Sequence, residues 1–415
     1  MSQAEDNILN GWVETTLGEV SKVQTGPFGS QLKNEQYITG GTPVITVEHI
    51  EDFRIKEFDY PSVTNEDRDR LSKYLLKEGD IVFTRVGSVD LSAYVSKNQD
   101  GWMFSSRMLS VRPSKKVDSK YLSYFFRQPT FRNFIFRISV GATMPSINTS
   151  ILKSIPITFP HLTEQKAIAK ALTAFDDKIE NLRAQNDTLE QTAQTIFTEW
   201  FLPSRQAGGK YQIGDELPEG WSLRSFYSIG DFINGSAFKS SDFLENRDGL
   251  PIIKIAELKN GITESTAFTQ KDVDPKYLIN DYDILFSWSG SPETSIDIFL
   301  WTNDKAVLNQ HTFNVKIKDK NMKAWYYFLL KYHKPLFIQL AKMKQTTGLG
   351  HVTISNLKEY SFIYPNKSLL DSKAPLFTTF FKKIASNRKQ IQTLSQTRDT
   401  LLPKLMSGQL RVKEV

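Results

Sequence analysis

Between Thr163 and Phe201, apolar residues recur in alternating steps of four and three, at Ile168, Leu172, Phe175, Ile179, Leu182, Leu189, Ala193 and Ile196. This spacing predicts one long coiled-coil-type helix, broken along its seam only at Asn186. At the α-helical rise its 39 residues span roughly 58 Å, more than a compact domain requires. Pro160 and Pro203 punctuate its ends. The pattern reads as a spacer arm. A second seam, at Phe377, Phe380, Ile384, Ile391, Leu394, Leu401 and Leu405, follows about 205 residues later, with Asn387 as its own central amide.

The segments before the two seams repeat as well. Gly11-Trp12 matches Gly220-Trp221, GTPVITVEHI (41–50) matches GLPIIKIAEL (249–258), and GDIVFTRVGS (79–88) matches YDILFSWSGS (282–291). INTSILKSIPITFP (147–160) matches VTISNLKEYSFIYP (352–365). Loops gain and lose residues while a framework stays fixed. The order is therefore globule (1–160), spacer helix (161–203), globule (204–366), spacer helix (367–415). In the first globule, short apolar runs at 44–47, 80–84, 108–111 and 155–159 predict strands, and residues 117–138 predict helices interrupted at Pro129. The fold class is α+β, with two pseudo-twofold related mixed α/β globules separated by two long antiparallel helices. Residues 202–221, rich in Pro, Gly and charge, read as the loop that starts the second globule.

Composition narrows the function. At 415 residues the chain exceeds one comfortable core, and 40% hydrophobic content is enough for two ordinary ones. A net charge of +6 and a pI near 9.0 favour a polyanionic partner without identifying it. The absence of cysteine removes disulfides, thiolate nucleophiles and thiolate zinc sites, and makes the cytoplasm the expected compartment. MSQAEDNILN (1–10) is acidic and polar, and apolar runs such as AWYYFLL (324–330) fall far short of a membrane span, so neither export nor a membrane is expected.

The motifs of catalysis are missing. A methyltransferase acting on a base amino group would carry an Asn/Asp-Pro-Pro-aromatic motif, and no Pro-Pro occurs. A nucleotide-driven motor needs a glycine loop ending in Gly-Lys-Ser/Thr, which GPFGSQLK (26–33) lacks. His49, His161, His311, His333 and His351 fall in no ligand spacing. Asp176-Asp177, among Lys170 and Lys178, reads as a solvated helix face with ion pairs. What remains is two related globules held apart by helices. A protein that reads DNA at two separated places needs that design: one module per half-site and a strut between them.

Two stretches carry a family likeness. FPHLTEQKAIAKALTAFDDKIENL (159–182) resembles the Pro-x-x-x-Glu-Gln-x-x-Ile-x-x-x-Leu opening of the first conserved helix in specificity subunits of type I restriction-modification enzymes. TRDTLLPKLMSGQLRV (397–412) is similar to that family's closing sequence. The likeness covers essentially the whole chain. One departure is that SLLDSKAPLFTTFF (368–381) lacks the Glu164-Gln165 pair of the first copy. The resemblance implies a non-catalytic chain that binds double-stranded DNA and no cofactor of its own. It would dock two methyltransferase subunits, which use S-adenosylmethionine to methylate adenine N6 in a bipartite site, and motor-nuclease subunits dependent on ATP and magnesium. The alternative is an autonomous DNA-modifying enzyme with unrecognised motifs.

Within that reading, matched loops with unlike side chains are the candidate readers. Arg85 stands against Trp288, and Arg107 against His311 with Gln310 beside it; Ser88 and Ser289 lie in the same loops. Arginine can take guanine bidentately, and Gln or Asn can take adenine. Thr143 and His351 lie in the glycine-bearing loops GATMPSIN (141–148) and TTGLGHVT (346–353), and Lys342 and Lys344 are placed for phosphates. In the helices, setting Asn186 opposite Asn387 avoids burying either amide against leucine. That register pairs Leu182 with Ile391, Leu189 with Ile384, Ile179 with Leu394, Ala193 with Phe380 and Ile196 with Phe377. It also pairs Leu172 with Leu401 and Ile168 with Leu405, and lays the Arg398 stem over the Phe175 ring.

Overall fold

The computed structural model describes residues 11–51, 53–56, 59–141, 143–202, 217–344 and 349–412. The N-terminal decapeptide and most of the predicted 202–221 loop lie outside them. The chain divides into two compact units, residues 1–178 with 394–415, and residues 179–393.

The first unit is built on a four-stranded antiparallel sheet in the order Ser21–Thr25, Met108–Pro113, Ile81–Thr84, Ser92–Tyr94. Its strand Ile81–Thr84 is buried along its whole length because it has a core on each face. Ile81 and Phe83 join the aromatic core of the helices Ser119–Arg127 and Pro129–Ile138, whereas Val82 joins Val44, Ile45 and Met103 on the other side. Strand alternation thus serves two cores and leaves an unbroken apolar run in the sequence. A smaller sheet pairs Thr42–Ile45 in parallel with Met103–Phe104, and Val13–Thr16 closes the globule against Pro156–Phe159.

The second unit repeats this plan. Its sheet runs Gly230–Asn234, Thr312–Ile317, Ile284–Ser287, Asp297–Leu300 in the same order and all antiparallel. Ile284 and Phe286 face the large aromatic core and Leu285 faces the small one. Leu250–Ile253 pairs in parallel with Ala306–Leu308, and Ser222–Ser225 closes against Ser361–Tyr364.

The two long helices run Leu162–Phe201 and Lys367–Met406, and the second stops at Gly408, whose φ of +70° suits a left-handed cap. Within the second unit they pack antiparallel. Asn387 Nδ2 donates to Asn186 Oδ1 at 3.0 Å, and both residues are buried. Beyond the expected seam, Phe377 meets Phe197 (ring centroids 5.8 Å apart) and Phe201 (5.6 Å), and Ile196 packs against the same core from its edge. Phe197 and Phe201 are fully buried while Ile196 is partly exposed, because the larger rings fill the volume beside Trp325.

In the first unit, Asp176 departs from the solvated face expected of it. Its carboxylate accepts from Tyr124 Oη, Arg127 Nη1 and Arg398 Nη1, each at 2.6 Å, tying the globule helix to both long helices; Asp177 stays exposed. Burial works to raise the Asp176 pKa, but the two guanidiniums and the tyrosine outweigh it and hold the carboxyl below the usual range. Arg398 therefore spends its guanidinium on Asp176. Gln165, from the Glu-Gln pair present in one copy only, is buried: it accepts from the Asp118 N–H at 2.8 Å and donates to Pro160 O at 2.8 Å. Its neighbour Glu164 faces Arg411 at 3.8 Å.

Candidate nucleic-acid interface

In the first unit, three loops converge at one end of the sheet. Arg85 N–H donates to Arg107 O (2.8 Å), Ile147 N–H donates to Arg85 O (2.9 Å), and Gly87 N–H donates to Pro145 O (2.8 Å). The second unit has the matching set: Trp288 N–H to His311 O (3.4 Å), Val352 N–H to Trp288 O (2.9 Å), and Ser289–Gly290 paired with Gly350–His351. Gly87 and Gly290 both hold positive φ, +83° and +117°, so each turn needs glycine. The scaffold is thus common to both units, and the side chains mounted on it are not.

A fourth loop joins each cluster, and the sequence reading did not single it out. A Cβ on Gly26 would stand 2.1 Å from Ser105 O, and one on Gly235 would stand 2.2 Å from Asn309 O. This close approach brings Phe28 beneath the Arg85 guanidinium, 5.5 Å from ring centre to Cζ, and places Asn234 to accept from Trp288 Nε1 at 2.9 Å. The signal was a glycine at the same point of both copies.

Arg85 is half-buried and donates to Ser106 O at 3.3 Å, which leaves further donors of its fork for a ligand. Ser88, Arg107 and Thr143 are exposed around it. In the second unit, the half-buried Trp288 ring stacks on Phe313 (5.4 Å) and lies 5.8 Å from His311 and 5.7 Å from the half-buried His351. Gln310 and His311 are exposed, with Gln310 Nε2 and His311 Nε2 3.4 Å apart. Ser289 is only 5% exposed and does not present its side chain. Lys342 pairs with Glu293, and Lys344 Nζ donates to Asn356 Oδ1 at 3.1 Å and Thr353 Oγ1 at 3.3 Å. Both lysines are exposed, where such contacts are weak enough to exchange for a phosphate. The two surfaces therefore offer unlike chemistry, two arginines in one and an indole with two imidazoles and an amide in the other. Among the described residues, no group of three or more His, Asp or Glu is arranged to hold a metal, and no helix is long and apolar enough to cross a membrane.

Comparison with known proteins gives this architecture a family. Residues 10–191 and 218–396 each match the type I restriction modification DNA specificity domain, one match per globule. The chain belongs to this family of DNA specificity proteins, and recognition of a DNA target is its function at that level. It is 28% identical to the type I restriction enzyme MjaIX specificity subunit of Methanocaldococcus jannaschii, over 98% of this chain and 95% of that one. It is 21% identical to the HindI specificity subunit of Haemophilus influenzae, over 97% and 100%. The crystal structure of the type I restriction-modification S subunit from M. genitalium matches in fold with a TM-score of 0.53 at 17% identity, covering 100% and 99% of the two chains.

Proposed function

We propose that each globule reads one half of an asymmetric bipartite DNA site and that the chain, without chemistry of its own, positions two methyltransferase subunits and motor-nuclease subunits on that DNA. The observation that carries this reading is the duplicated loop scaffold with divergent side chains: Arg85, Arg107 and Phe28 in one copy, Trp288, His311 and Ala237 in the other. Two readers of one sequence would keep their contact residues alike; two readers of different sequences keep the frame and change the contacts. S-adenosylmethionine, ATP and magnesium then belong to the partner subunits. The cytoplasm, where the DNA lies, is the compartment that fits. Comparing the methylome of the host with and without this gene tests the reading. An N6-methyladenine motif of two unlike halves should vanish on deletion, and an unchanged methylome contradicts it. Methyl transfer by the purified chain alone would favour the autonomous enzyme instead.

A further inference from the structure

The four most exposed large apolar side chains among the described residues lie at one place in the fold. They are Met343 (71% exposed), Met144 (64%), Val140 (61%) and Leu349 (51%). All belong to the stretch from the last turn of a globule helix, Pro129–Ile138 or Lys334–Met343, to the short helix before the closing strand, Thr149–Lys153 or Ile354–Glu359. Each unit thus presents one methionine and one branched aliphatic residue there. Apolar side chains scattered singly over a surface need no account, but the extreme cases gathered on matched loops of both copies do.

Their mounts are firm and adjoin the candidate readers. Val140 and Ser146 exchange backbone hydrogen bonds at 2.9 and 2.8 Å, and a Cβ on Gly141 would stand 2.7 Å from Met144 O, so the ends of the first loop are drawn tightly together. In the second unit a Cβ on Gly350 would stand 2.4 Å from Ala341 O, which holds the start of the returning strand, and Leu349 with it, against the end of the helix that carries Met343. Ser146 also bridges to Val86, and Gly350 pairs with Gly290. Both mounts are therefore bonded to the loops that bear Arg85 and Trp288.

Charge shows what covers the tips. No Asp or Glu occurs from 119 to 163 or from 320 to 358, while Arg137 in one unit and Lys342 and Lys344 in the other stand exposed beside them. A surface without carboxylates and with exposed cations suits a polyanion, which for a DNA specificity protein is the duplex. Phosphates offer an aliphatic chain nothing, so its contacts must come from the bases, either thymine methyl groups in a groove or base faces at an opened step. The reader side chains differ between the units, whereas the tips have one chemistry in both. A contact that reads sequence would diverge with the readers; one that does the same work at either half-site would not.

We infer that Val140 with Met144, and Leu349 with Met343, are wedges that part a base step at each half-site whatever its sequence. Parting a step kinks the duplex and costs stacking, which the covered apolar surface and the neighbouring cations offset. The inference rests on the reading that each globule sits on one half of a bipartite site, and adds that the globule deforms what it reads.

The full chain, co-expressed with the host's methyltransferase and bound to a duplex carrying the motif methylated in that host, tests it. The fluorescent base 2-aminopurine, which brightens when unstacked, is walked through and beside each half-site, leaving out the adenine that is methylated. The variants are Val140→Ser with Met144→Ser, and Met343→Ser with Leu349→Ser; Met144→Leu and Leu349→Met keep the apolar character, and thermal unfolding confirms that each variant folds. The expected result is one bright step at each half-site with the wild type and the conservative variants, loss of brightening at one half-site alone with each serine pair, and an unchanged methylated motif throughout. Brightening that survives both serine pairs overturns the inference. So does a duplex that is bound and methylated without any bright step, which leaves the reading above intact. Uracil in place of thymine removes only the methyl group; if it weakens binding of the wild type but not of the serine pairs, the tips read thymine and the wedge is overturned. A wild-type complex that neither binds nor methylates the bipartite duplex overturns the reading itself.

Discussion

Asp176 decides how firmly the first globule is held, because Tyr124 and Arg127 from one helix and Arg398 from another all spend a donor on it. Removing the carboxylate leaves two partly buried guanidiniums uncompensated, so Asp176→Ala should cost about 2 kcal/mol or more in urea denaturation. Its folded pKa is depressed, so this stabilisation is present above the unfolded carboxylate value and is lost as pH falls through the folded one. His333 acts in a different window. Its Nε2 lacks a partner beside Phe226 and burial lowers its pKa to about 4. The unfolded chain then binds the proton more readily than the folded one. Stability should be full above pH 6.5 and fall by up to about 3 kcal/mol as pH drops toward 4. His333→Phe should flatten the unfolding profile across that range, and an unchanged slope would remove His333 as its source. Among the surface residues, Arg107→Ala and Gln310→Ala should each relax one base of the methylated motif, read by sequencing methylated DNA; an unchanged motif in both would exclude them as readers. Little of this was legible beforehand. Local spacing gave Asp176 only its helix neighbours, whereas its partners lie about 50 and 220 residues away in the chain.

The long helices were the most readable elements, because a sustained heptad pattern constrains both type and extent. The facing amides were legible too, since a single polar residue in each seam has few satisfactory partners. The exact face was not, because residues 196 and 197 are both apolar and packing against Trp325 chose the phenylalanine. Strand order was also out of reach. Ser21–Thr25 pairs with Met108–Pro113 across most of the globule, and nothing local announces it. The Asn pair offers a direct test of element pairing. Asn387→Leu alone strands the Asn186 amide in a buried site and should destabilise the second unit by about 1–3 kcal/mol. Asn186→Leu with Asn387→Leu should recover or exceed wild-type stability while loosening the register. Additive effects in the double-mutant cycle would mean that the hydrogen bond carries no coupling.

At the scale of the whole molecule, duplication was visible in the sequence because loops and strands recur in one order, and both family matches fall on that repeat. The Phe28 and Asn234 contributions were not, because each depends on a glycine letting two distant loops touch. The central claim is that recognition is modular, with one globule for each half of the target. Its most direct test replaces residues 13–155 with the equivalent globule of another family member and maps N6-methyladenine in a host carrying the chimaera with its methyltransferase. The account predicts that one half of the methylated motif changes and the other is retained base for base. A motif altered in both halves would contradict it, and so would one altered in neither.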